Sequence, residues 1–122
     1  MGVKNIEVAR SVKMSSIGWK KLVQKGLNTA MESQNKILVA SNLRHAARQA
    51  YLHEERELAL EFIVLSLDFA ENSNLYFLAL LDYHYYRTGN RVDMHDLPQI
   101  EAPDPGQAIP WPQLRKLIQK LY

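Results

Sequence analysis

The sequence predicts an all-α fold: a small helical bundle or short helical-repeat solenoid, with four main helices and a C-terminal helix after a proline-rich loop. Three observations carry this expectation. Apolar residues recur every three to four positions from Ser16 to Thr88, the spacing of one helix face. At 122 residues the chain can bury one core but has no room for a second, so one domain is expected over 1–122. All five prolines fall between Pro98 and Pro112, so none interrupts the helical pattern before them.

Residues 1–14 fit either a short helix or an extended arm. The first clear helix is predicted over 16–32. Trp19, Leu22, Val23, Gly26, Leu27, Ala30 and Met31 form its apolar face, and Ser15 or Ser16 is placed to cap it. Gly26 on that face predicts close approach by a neighbouring helix. Ser33, Gln34 and Asn35 then break the pattern. A second helix is predicted over 36–53, with an alanine-rich stripe that lets another backbone come near. The third, over 55–71, leaves only a narrow polar strip of Glu57, Glu61 and Asp68. Asn72, Ser73 and Asn74 form the next break, with Asn74 a candidate cap. The fourth, over 75–88, is apolar nearly all round and ends at Gly89, which supplies a left-handed residue. A helix of that kind is central or faces a partner.

The proline-rich stretch, 90–112, cannot be regular helix or central strand and is expected to wrap the bundle, anchored by Trp111. Pro112 suits the first turn of a last helix over 113–121, whose apolar face is Leu114, Leu117, Ile118 and Leu121.

Charge is polarised along the chain. Residues 1–53 hold nine Lys and Arg against two acids, 54–104 hold three against eleven, and the remainder adds three bases. Either the ends neutralise the middle, or a basic face meets an acidic partner. The absence of cysteine excludes disulfides, thiolate metal sites and thiol nucleophiles, and fits a reducing compartment. No run approaches the length of a membrane span, and the N-terminal stretch lacks the apolar region of a secretory signal. The second residue is Gly2 but the sixth is Ile6, which meets a myristoylation signal poorly. A cytoplasmic protein is expected.

The segment 43–73 resembles one tetratricopeptide repeat. Ala47 stands at the small-residue position of that family's first helix, and Ala59 and Ser66 at the small positions of its second. Asn72-Ser73-Asn74 falls where the inter-repeat turn lies, and 78–90 looks like the opening helix of a following repeat. Glu71 stands in place of the usual proline, Leu81 or Asp82 in place of a small residue, and the second half of the later repeat is missing. The resemblance implies a protein that binds peptides or protein segments and has no catalysis of its own.

No motif for catalysis stands out. There is no phosphate-cradling glycine loop, no nucleophile elbow and no HExxH. Glu54, Glu57 and Glu61 share a helix side and read as a solvated face. His53-Glu54-Glu55 and Asp93-Met94-His95-Asp96 offer donors but no regular ligand spacing. We expect no enzyme, cofactor or metal. The expected function is protein–protein interaction, as an adaptor, chaperone or regulatory subunit, with a protein partner or a homodimer. Tyr76, Tyr83, Tyr85 and Tyr86 are the candidate contacts, with Arg87 at the rim, because tyrosine joins apolar area to a polar tip. The alternative is nucleic-acid binding through Lys20, Lys21 and Lys25, with Trp19 stacking on a base or, on its helix stripe, packing in the core.

Overall fold

A computed structural model describes residues 15, 18–92, 102 and 111–121. Among them are five α-helices and no strand: α1 Trp19–Ser33, α2 Lys36–Leu52, α3 Arg56–Phe69, α4 Asn74–Thr88 and α5 Trp111–Gln119. The fold is an all-α bundle, as the three-four spacing requires. The expected arm over 1–14 and most of the expected wrapping loop lie outside the described residues.

Each helix end has a local cause, and several differ from expectation. The N-cap position of α1 is Gly18 at φ 89°, with no side-chain cap, rather than Ser15 or Ser16. Asn35 caps α2: its Oδ1 accepts from the amides of Ile37 at 3.1 Å and Leu38 at 3.2 Å. Between α2 and α3, the Glu55 N–H donates to Ala50 O at 2.8 Å and the Glu54 N–H to Tyr51 O at 3.1 Å. That is the paired closure of a left-handed helix end, and Glu54 occupies the left-handed position at φ 63° where glycine is usual. α3 stops at Phe69, two residues earlier than expected, because Asn72 turns left-handed at φ 65°. The N-cap position of α4 is Ser73 rather than Asn74, which is its first residue. Gly89 ends α4 as expected, at φ 78°, and its N–H donates to Tyr85 O at 2.7 Å. α5 begins at Trp111, so Pro112 lies in its first turn.

Glu54 gives the first prediction. A side chain in the left-handed region costs on the order of 1 kcal/mol that glycine avoids. Glu54→Gly is therefore expected to raise stability by about 1 kcal/mol, read from urea unfolding. A loss of stability would mean the Glu54 side chain supports this turn.

Consecutive helices run antiparallel. Ser66, late in α3, donates its hydroxyl to Ala40 O, early in α2, at 2.8 Å. Trp19, at the start of α1, stacks on His53, just past the end of α2, with centroids 4.8 Å apart. Arg56, opening α3, donates from Nε to Tyr86 O at 2.8 Å and from Nη2 to Arg87 O, satisfying two carbonyls that end α4. It follows that α2 and α4 are parallel, with their N-termini at the same end.

α2 lies between α1 and α4, α3 packs beneath α2 and α4, and α5 fills the angle between α1 and α3. The α2–α3 contact is the most extensive, because small residues meet there: Ala40, Ala47 and Ala50 of α2 and Ala59 and Ser66 of α3 are all fully buried. A Cβ on Gly26 would sit 3.1 Å from Asn42 Oδ1, so the glycine does set the α1–α2 approach. Phe62 and Ile63 of α3 and Leu114 and Leu117 of α5 are fully buried. Trp111 meets Phe69 edge-on at 4.9 Å, which fixes the start of α5; the loop it is expected to anchor lies mostly outside the described residues. Gln24 Nε2 donates to Ile118 O at 3.3 Å, and Lys120 Nζ pairs with Glu61 at 2.8 Å.

The third and fourth helices, both rich in apolar residues, differ in how far they are covered. α3 is enclosed, with Phe62, Ile63, Leu65, Leu67 and Phe69 all buried. α4 is an outer helix: only Ala79, Leu80 and Tyr86 are buried, and Phe77 and Leu78 face outward.

Candidate functional site

The five large apolar side chains that are exposed among the described residues are Leu22, Ile37, Leu38, Phe77 and Leu78, between 40% and 59% accessible. All belong to α1, α2 or α4. Four of them lie in the first turns of α2 and α4, which begin at the same end of the bundle. Parallel packing thus brings Ile37 and Leu78, 41 positions apart, into one small apolar region at the α2–α4 edge, whereas Leu38 and Phe77, one residue along each helix, are turned away from it.

Below that region runs a strip where α2 and α4 meet. Helical periodicity places Ile37, Arg44, Arg48 and Tyr51 along the α2 edge, and Leu78, Asp82 and Tyr85 along the α4 edge. Arg44 Nε bonds Asp82 Oδ2 at 2.5 Å, a half-buried ion pair that bridges the helices. Beyond it Tyr51 stacks on Tyr86 at 4.8 Å and meets Tyr85 at 5.3 Å. The Arg91 guanidinium lies 4.9 Å over the Tyr85 ring, a cation–π contact at the foot of the strip.

The expected contact residues separate. Tyr85 belongs to this strip. Tyr76, Tyr83 and Arg87 follow the opposite edge of α4, toward α3, where Tyr76 and Tyr83 are half-buried against the core. Arg87 is exposed and lies 5.5 Å over the Tyr83 ring. Tyr86 is 3% accessible, so it shapes the strip from within, through Tyr51 and Tyr85, and presents no surface itself. Burial, and then the nearby Asp82 charge, push the Tyr86 phenol well above its usual range, while Arg48 and Arg44 act the other way. The phenol therefore stays protonated and can serve as a donor.

The basic residues also separate. Lys20 pairs with Glu55 at 3.2 Å and lies 5.7 Å over the Trp19 ring. Lys21 and Lys25 are exposed. Trp19 is 5% accessible and sandwiched against His53, so it packs in the core and offers no face to a base.

The acidic side chains of the α2–α3 turn line an open depression of about 690 Å³ with Arg56, Leu58 and Lys120. Glu54, Glu57 and Glu61 are solvent-exposed there, and Lys120 Nζ reaches both oxygens of Glu61 at 3.0 and 2.8 Å. His53 Nδ1 faces Gln49 O at 3.1 Å. Among the described residues no group of three or more His, Asp or Glu converges as metal ligands would. The Asp93–Asp96 donors lie outside the described residues. No described helix is long and apolar enough to cross a membrane.

Sequence reasoning passed over Phe77, Leu78 and Ile37. The signal was present in the all-round apolar character of α4, but its rotation on α2 and α3 decides which side is left uncovered. No protein-family model matches the chain, and neither curated proteins nor solved structures yield a match.

Proposed function

We propose that this protein is a non-catalytic protein–protein interaction module, an adaptor, chaperone or regulatory subunit of the cytoplasm, and that its contact surface is the outer side of α2 and α4. One observation carries the reading: Ile37 and Leu78 lie uncovered together where two parallel helices meet, beside arginine and tyrosine, with Leu38 and Phe77 also exposed at the same helix ends. Uncovered apolar groups that cluster mark contact surfaces, whereas scattered ones do not. Arginine and tyrosine are the residues that most often anchor such contacts.

A tetratricopeptide-like arrangement of α2, α3 and α4 belongs to the same proposal. It is supported by burial of Ala47, Ala59 and Ser66 where α2 meets α3. The resemblance implies a chain that binds peptides or protein segments. The lack of cysteine supports a reducing compartment.

Phe77→Ser combined with Leu78→Ser tests the reading, since both side chains are exposed and the change should cost the fold little. The wild-type chain is expected to retain a protein partner, or to dimerise by light scattering. The double variant is expected to lose that association by about tenfold or more while its helical circular dichroism is unchanged. Equal association by both proteins would remove the proposed surface from consideration.

A further inference from the structure

We draw no further inference here: the strongest candidate, the surface strip where α2 and α4 meet, apolar at Ile37 and Leu78 and cationic at Arg48 and Arg91, is an unpartnered helix face, and nothing in the structure shows what covers it.

Discussion

Phe62→Ala is expected to remove about 3–5 kcal/mol of stability, the cost of emptying a large site in a close-packed interior. Among the described residues Phe62 is the largest fully buried side chain, and it sits at the centre of α3. α3 touches α2, α4 and α5, so a cavity there has walls on several helices and cannot collapse by moving one. Against a total stability of about 5–15 kcal/mol, the variant should be close to unfolding, with Tm lowered by about 15 °C. Thermal unfolding followed by far-ultraviolet circular dichroism measures this. A loss under about 1 kcal/mol would mean that α3 is not the central helix.

The second large effect concerns α5. Leu114 and Leu117 are buried at the junction of α1 and α3. Truncating both to alanine would cost several kcal/mol if α5 stayed in place. It need not stay, because α5 can leave the bundle when its docking energy falls below that sum. Detachment sets an upper bound on the cost. The double variant is therefore expected to keep α1–α4 folded while α5 comes away. Trp111 would lose its contact with Phe69, and its fluorescence should shift to the red. Amide exchange should rise by about tenfold or more in α5 while α2 keeps its protection. Uniform loss of protection through α2 would show that α5 and the other helices unfold as one unit.

Much of this architecture was readable from local pattern. Three-four spacing identified the five described helices, and Gly89 and Pro112 marked ends because each has its own backbone restriction. Neither turn carries a glycine at its left-handed position: at Asn72 the asparagine-rich break marks it, but nothing local marks Glu54. Gly26 was legible as a close-packing position because a glycine on an apolar face has few other uses.

The candidate surface was harder to read. Tyr85 and Tyr86 are neighbours of one type, yet one is on the strip and the other in the core. That outcome depends on the rotation of α4, which an all-round apolar sequence does not specify. The Arg44–Asp82 pair joins residues 38 apart, and no local spacing encodes a bond at that distance. The coarse charge polarity was visible in the sequence.

The hydrogen bond from Gln24 to Ile118 joins positions 94 apart, while each hairpin among the first four helices closes over a few residues. The entropy lost in closing a loop rises with its length, so neighbouring hairpins assemble first and the C-terminal helix is the last to arrive. Until it does, the flank of α1 and α3 stands bare. At high protein concentration the same helix from a neighbouring molecule competes for that site, and such exchange produces interlinked dimers without a single new contact.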